Sequence, residues 1–318
     1  MKICLVGSIL RHTVHSDAGT YSGWGGMTES AIAPFAALFK DDSKIYFVGS
    51  VGKEDIDEVK EFYRKNYPFV DTSGIFVNPK GTDHHEGNKH FVTRKVQVDP
   101  TMYEHIEPFI HDVDVVIFNF GNIDDIDPEA IIQVKQNSKA LVYVDVHRKP
   151  FGADEEGRMY DRGWPEWEKY LKYADIVQMD KNECEVLFQR KLINVSDVVD
   201  CAKKILDAGA LQVMITLGSR GSLVAHSKPS SEYFLFPSVP CKVLDTTGAG
   251  DAFAAGYLVK LHEGGSLTDA VKMGSLLAAI NCEFKGYIKD MNREKIEKRM
   301  PVDFTPTKVS LEDKTPIS

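Results

Sequence analysis

Residues 244–258 read LDTTGAGDAFAAGYL. The first half is small and polar, with Gly248, Ala249 and Gly250 in succession, and the second half is apolar and small enough to pack closely. This pattern predicts a glycine-rich turn that runs straight into a helix. A helix start leaves its first amides without intrahelical acceptors, at the positive end of the helix dipole, and so forms a site for an anion such as phosphate. Asp251 stands at the junction. A carboxylate there would repel a phosphate, so its presence points to a base that takes a proton from an attacking hydroxyl. The bland alternative is an acidic residue that only caps the helix.

Outward from this stretch, apolar runs at 2–7, 44–49, 114–118, 141–145, 175–179 and 212–216 predict buried strands. Helices are expected at 27–39, from the GSVGKED segment to about Asn66, and at 128–136, 181–188, 196–208, 248–262 and 267–284. Pro34 should kink or shorten the first of them. Residues 222–226 and 232–236 read as a hairpin. Strands alternating with helices imply an α/β fold, a parallel sheet covered on both faces, with ligands at the carboxyl ends of its strands. Gly7, Gly49, Asp145, Met179 and Thr216 lie at or just beyond such ends.

Two segments break the alternation. Residues 8–24 are polar and His-rich without helical period, and residues 74–98 contain an alternating run after a polar loop. Together they predict a small β lid that leaves the main sheet and returns. Residues 1–300 are expected to form one domain, and 301–318, with Pro301, Pro306 and Pro316, a peripheral C-terminal arm.

Composition bounds the function classes. The chain has 318 residues, 43% hydrophobic and 27% charged, with a formal net charge of −9. That balance argues against nucleic acid or an anionic membrane as the main partner. Five cysteines without a C-x-x-C pair read as reduced thiols in a cytoplasm. The start MKICLVGSIL is too short and strand-like for a signal peptide, and no apolar run approaches the roughly 20 residues that span a bilayer. The G-x-x-x-x-G-K-[ST] loop, the G-x-G-x-x-G fingerprint and Cys/His zinc spacings are all missing.

With these residues in view, DTTGAGDAFAAGYL resembles the C-terminal signature of the ribokinase-like (PfkB) carbohydrate kinases. Other motifs follow in the family's order. Gly25-Gly26 resembles its di-glycine, GSVGKED its G-x-V-G-x-D segment and Asp145-Val146-His147-Arg148 its D-x-N-x-R strand end. Asn182-Glu183-Cys184-Glu185 is similar to its N-x-x-E motif, and residues 216–221, TLGSRG, to its T-x-G-x-x-G nucleotide segment. The resemblance covers about residues 1–290. It implies a ribokinase-like three-layer sandwich, mostly parallel sheet with helices on both faces, plus the small β lid.

The resemblance also implies roles. Asp251 would deprotonate a substrate hydroxyl, with Gly248, Ala249 and Gly250 as an anion hole for the transferring phosphoryl group. Thr216, Gly218, Gly221 and Thr247 would meet ATP. Asn182 and Glu185 would hold magnesium through water, with plain helix capping as the alternative. Ala278 and Ala279 are small enough to border an adenine, with plain helix packing as the alternative, and a monovalent cation near the anion hole is compatible with the family. Gly25, Gly26, Ser30 and His12 would face the acceptor together with Asp251. His12 and Ser30 stand where many members carry Asp and Asn, which points to a non-standard acceptor. His12, His15, His84, His85, Lys89, His90, Arg94 and Lys95 in the lid segments would suit an anionic one.

The expected activity is therefore ATP-dependent phosphorylation of a hydroxyl of a sugar, sugar derivative or nucleoside. The rivals are a non-catalytic sugar- or nucleotide-binding regulator of the same fold and a vitamin-precursor kinase. A homodimer through the exposed edge of the lid is expected, with no nucleic-acid or membrane partner.

Overall fold

The computed structural model describes residues 1–16, 19–26, 30–88, 91–94, 97–286, 288 and 290–317. Lys89, His90 and Lys95, named above, lie outside the described residues, as do the side chains of His15 and Arg94. The chain splits into two compact units. The N-terminal unit comprises Lys2–Thr28 and Ser43–Tyr173, and the C-terminal unit Glu29–Asp42 and Ala174–Ser318.

The N-terminal unit holds β1 (Lys2–Val6), β2 (Ile9–Ser16), β3 (Gly19–Gly26), β4 (Lys44–Val51), β5 (Val70–Asp71), β6 (Ile75–Val77), β7 (Asp83–Asn88), β8 (Phe91–Arg94), β9 (Val115–Asn119) and β10 (Leu141–Asp145). Its main sheet runs β10-β9-β1-β4-β5, with β6 also on β4, and all these pairs are parallel. Every residue of β9 is buried, as expected for a parallel strand covered on both faces. Helix α1 (Ile56–Asn66) carries Asp57 and Glu58 in its first turn and Arg64 and Lys65 in its last, which suits the helix dipole. Its Tyr63 ring packs edge-on against Phe47 at 5.4 Å. Helix α2 (Glu129–Asn137) covers the sheet through Ala130, Ile131 and Val134.

A second sheet of this unit has the order β3-β2-β7-β8. Residues 75–77, expected in the flap, instead join β4 in the main sheet, so the flap strands begin at Asp83. The GSVGKED segment ties this small sheet down. Asp55 accepts Arg11 of β2 at 2.9 Å and Thr82 Oγ1 at 2.5 Å, while Thr82 accepts the Gly52 amide at 2.8 Å. The Arg11 guanidinium also lies 4.4 Å over Trp24 of β3, whose indole N–H donates to Glu58 at 3.1 Å. A two-stranded ribbon, β11 (Phe151–Ala153) with β12 (Met159–Asp161), follows β10.

The C-terminal unit builds β13 (Ile176–Asp180), β14 (Gln212–Thr216), β15 (Ser222–His226), β16 (Glu232–Phe236) and β17 (Thr307–Lys308) in that spatial order. β13 and β14 are parallel and the rest antiparallel. Its longer helices are α3 (Lys181–Leu187), α4 (Val195–Ala208), α5 (Ala249–His262) and α6 (Leu267–Asn281). Helix α5 is buried continuously from Asp251 to Val259, which marks a core helix rather than an amphipathic one. It meets α6 at close range: a Cβ on Gly256 would lie 2.7 Å from Met273 O, and one on Gly274 2.8 Å from Phe253 O. The helix expected at 27–39 is described at Ile32–Leu38, shorter than expected, with Pro34 as its third residue, where a missing N–H breaks no intrahelical bond.

Residues 301–317 pack onto the C-terminal unit. They supply β17 to the sheet edge, and the amides of Val195 and Ser196 donate to Thr315 O (2.9 Å) and Asp313 O (2.8 Å). Phe304, Val309 and Ile317 are buried. Among the described residues no helix is long and apolar enough to cross a membrane, and all five cysteines are free.

Candidate active site

The C-terminal unit places Gly248, Ala249, Gly250 and Asp251 at one helix start, that of α5. Gly248 is the N-cap of α5, with φ +73° and ψ 6°, a left-handed conformation that glycine adopts without Cβ strain. A side chain there would also come within 3.0 Å of Ser30 Cβ, so Ser30 lies against the turn. Ala249 donates its amide to Thr246 O at 3.2 Å, closing the turn. That amide is therefore engaged, and the outward-facing part of the expected anion hole narrows toward the rest of the first turn. Asp251 is the third residue of the helix and only 7% exposed.

Three side chains hold this turn. Asp245 accepts both the amide (3.0 Å) and the hydroxyl (2.8 Å) of Thr247 through one oxygen, and the Gly286 amide (2.9 Å) through the other. Partial burial pushes its carboxyl up, but these hydrogen bonds win and hold it below the usual carboxylate range. Asn281, fully buried at the end of α6, donates to Thr247 O at 2.7 Å and accepts the Ile288 amide at 3.1 Å. Gln178 of β13, 2% exposed, donates to Gly250 O at 3.0 Å. Sequence reasoning missed Gln178 and Asn281. Both carried a legible signal, a polar residue inside an otherwise apolar strand or helix, since such a group is buried only with partners.

Beside β13, the strand end of β14 carries the T-x-G-x-x-G segment. Thr216 pairs with Asp180 across β13 and with Ser222 across β15. Gly221, at φ +88°, accepts the Leu217 amide at 2.8 Å, and a Cβ there would lie 1.9 Å from Phe236 O. Gly218 has φ +58° with open space around it. This segment thus has a complete turn geometry of its own.

Helix α3 is capped by Asp180, not by Asn182: Asp180 accepts the Glu183 amide and Glu183 accepts the Asp180 amide, both at 2.8 Å. Asn182 is exposed. Glu185, 9% exposed, accepts Lys191 Nζ at 2.6 Å and the Leu192 amide at 3.0 Å. Burial pushes its carboxyl up, but the Lys191 ammonium and the Leu192 amide outweigh that and hold it below its ordinary range. Among the described residues no group of three or more His, Cys, Asp or Glu is arranged to hold a metal. Ala279 is buried and Ala278 half-buried on α6.

In the N-terminal unit, Gly25 lies under the His12 ring, where a Cβ would meet Nδ1 at 2.5 Å. Burial, with His84 nearby, lowers the His12 pKa, so the ring favours its neutral form. Gly26 ends β3 opposite Ile9. The His84 ring pairs with Thr13 Oγ1 at 3.1 Å, and His85 is buried with Nε2 3.7 Å from Asp83. Asp145, 3% exposed, accepts Asn119 Nδ2 at 3.1 Å. His147 has φ +40°, and burial beside Arg148 pushes its pKa down to about 3.

Known proteins share both the sequence and the architecture. Adenosine kinase of Saccharomyces cerevisiae is 29% identical over 167 residues, 51% of this chain and 47% of that protein, so the chain spans about half the length of that relative. The 5-dehydro-2-deoxygluconokinase of Clostridium beijerinckii is 25% identical over 299 residues, 83% of this chain and 80% of that one. The crystal structure of ribokinase from Thermotoga maritima superposes with a TM-score of 0.70 at 22% identity, over 94% of this chain and 99% of that one, which shows a shared fold. Residues 101–294, more than half of the 318, match the family model for pfkB family carbohydrate kinases. On that match, with the glycine turn, the buried Asp251 and the parallel sheets in place, the chain belongs to the pfkB family of carbohydrate kinases.

Proposed function

We propose that this protein is an ATP-dependent phosphotransferase acting on a hydroxyl of a sugar, sugar derivative or nucleoside. One observation carries the reading: a buried carboxylate, Asp251, in the first turn of a helix that opens on a left-handed glycine. A carboxylate with a capping role alone has no need to be buried beside an anion-binding turn. As base, Asp251 would take the proton from the attacking hydroxyl oxygen as that oxygen bonds to the terminal phosphorus and the leaving phosphate departs. The first-turn amides would meet the charge on the transferring group. Gln178, Asn281 and Asp245 would keep those amides aimed without touching substrate.

Thr216, Gly218, Gly221 and Thr247 are assigned to the nucleotide, and Gly25, Gly26, Ser30 and His12 to the acceptor, as the family resemblance implies. Magnesium, when bound, would neutralise phosphate charge. Asn182 is open to such a role, whereas both Glu185 oxygens are engaged by Lys191 and Leu192, so Glu185 would act only at one remove, through water. The family resemblance assigns the lid role to the small sheet β3-β2-β7-β8, whose outer strands would offer an edge for a homodimer, which a monomeric mass in light scattering would eliminate. Free thiols fit a cytoplasmic setting.

The test is ATP turnover against a panel of sugars, sugar acids and nucleosides. Asp251→Asn should cut kcat by about two to four powers of ten while leaving the melting temperature near that of the parent. Turnover untouched by Asp251→Asn would remove the assigned base. Tight ligand binding with no transfer to any acceptor would favour the regulator reading.

A further inference from the structure

The small sheet β3-β2-β7-β8 has two unlike faces. Neighbours along a strand point to opposite sides, and residues paired across strands share a side. One face carries Arg11, Thr13, Trp24 and His84. Arg11 donates to Asp55 and to Glu58, both at 2.9 Å, the Trp24 indole N–H donates to Glu58 at 3.1 Å, and Thr13 pairs with His84 at 3.1 Å. This face is thereby fastened to the start of α1, and Arg11, the one Arg or Lys among the described side chains of the sheet, is spent there. The opposite face carries His12, Asp83 and His85. His12 and His85 are partners in the parallel register of β2 and β7, so their rings are neighbours on that face. Burial deepens along it: His12 is half-buried, His85 is 8% exposed and Asp83 1%.

The deep end of this face is fixed from the main sheet. Nδ2 of Asn122, a buried residue in the loop that follows β9, donates to the Asp83 carboxylate. The face is therefore turned to the carboxyl edge of the parallel strands, where α/β folds bind their ligands. His85 stands between, its Nε2 3.7 Å from Asp83. At the open end, a Cβ on Gly25 would meet His12 Nδ1 at 2.5 Å, so the glycine leaves that ring its room.

We propose that His85 is a specificity-determining residue that reads a neutral hydroxyl of the acceptor beside His12, with Asp83 and Asn122 as its positioning residues. Asp83 favours a ring N–H on its own side, at Nε2, which leaves Nδ1 to accept a hydrogen from the ligand. A hydroxyl supplies that hydrogen. An ionised carboxylate or phosphate has none to give and would face the negative charge of Asp83. The histidines of the lid thus select a polyhydroxyl compound without an anionic group at this point, although their number in the sequence would suit an anion. That the compound read here is the acceptor rests on the phosphotransferase reading, whereas the hydroxyl-binding face itself does not.

The experiment is calorimetric titration of the whole chain with D-glucose, D-fructose, D-ribose and uridine, with their monodeoxy analogues, and with D-gluconate and the matching sugar phosphates. The expected result is a neutral compound bound more tightly than its acid or phosphate, with one deoxy analogue about ten- to a hundredfold weaker. His85→Phe should weaken the neutral compound by the same factor and erase the preference over that one analogue, a selective loss that a merely structural role would not produce. His85→Gln keeps a polar group in this buried place, so it makes the same test in a chain that folds even where the Phe variant does not, and it should retain part of the preference. Asp83→Asn should lose part of it and add nothing on top of His85→Phe. An acid or phosphate bound more tightly than the neutral parent would overturn the hydroxyl reading. Folded His85 variants that keep the full preference would overturn the site, and ATP turnover continuing in them with an unchanged KM for the neutral compound would leave the kinase reading standing. Binding that depends on His85, with no phosphoryl transfer to any of these compounds, supports the site and sinks the kinase reading instead.

Discussion

At the scale of single residues, the glycine turn depends on side chains outside it. Asn281 serves two backbone groups at once, accepting the Ile288 amide and donating to Thr247 O, from a fully buried position. Asn281→Leu leaves both unsatisfied, at a cost of about 1–3 kcal/mol for each buried group stranded. Urea unfolding should show that loss, and steady-state kinetics should show a raised KM for ATP, because Thr247 and Gly248 lose their brace. An unchanged KM beside the expected destabilisation would reduce Asn281 to a core residue. Ser30 lies against the Gly248 turn, in the same unit as Asp251, so its effect on the acceptor would come together with an effect on that turn.

At the scale of elements, loops after strand ends are pinned by ion pairs as well as by packing. Asp124, in the left-handed region at φ +54°, takes two hydrogen bonds from Arg162 (2.8 and 3.1 Å) and one from Lys149 (2.9 Å). This joins the loop after β9 to that after β10 and to the residue following β12. Burial pushes the Asp124 carboxyl up, but Arg162 and Lys149 win and bring it down to about 2 from 3.8. A carboxylate depressed in the folded state stabilises fully above its unfolded value and loses that contribution as pH falls through the folded one. Its side chain is 38% exposed, so solvent screening reduces the contribution to about 1 kcal/mol. The urea midpoints of the parent and Asp124→Asn should therefore differ at pH 6 and converge between pH 4 and 2. Asn tolerates the left-handed backbone, which keeps the comparison clean. A gap that persists at pH 2 would assign the effect to something other than this charge.

At the scale of the whole chain, residues far apart in sequence complete each unit. The C-terminal residues close the sheet of β13 to β16 and bury Phe304, Val309 and Ile317. Each buried apolar side chain of this size contributes about 1.5–3 kcal/mol. Truncation after Met300 should therefore lower the melting temperature by roughly 10 °C or more, at about 2–4 °C per kcal/mol for a domain of this size. A melting temperature within a degree of the full chain would restore the peripheral-arm reading.

The sequence by itself determined the alternation of strands and helices, and hence the parallel sheets, because buried strands read as continuous apolar runs. It also determined the glycine turn and the Asp that follows it, since both the left-handed residue and the anion-binding helix start are local properties of a few neighbouring residues. Only the tertiary structure decided which side chains hold that turn. Gln178 and Gly250, or Asn281 and Thr247, meet through packing across long stretches of chain, and no local pattern encodes such a meeting. The same holds for Glu185, whose carboxylate was taken by Lys191 and Leu192, and for Asp55, which serves as the anchor of the small sheet. The composition of 301–318 reads as a loose end because proline and polarity are local, whereas its docking depends on a sheet edge built some 70 residues earlier. Motifs report the chemistry that neighbouring residues make; the fold decides which distant residues hold it in place.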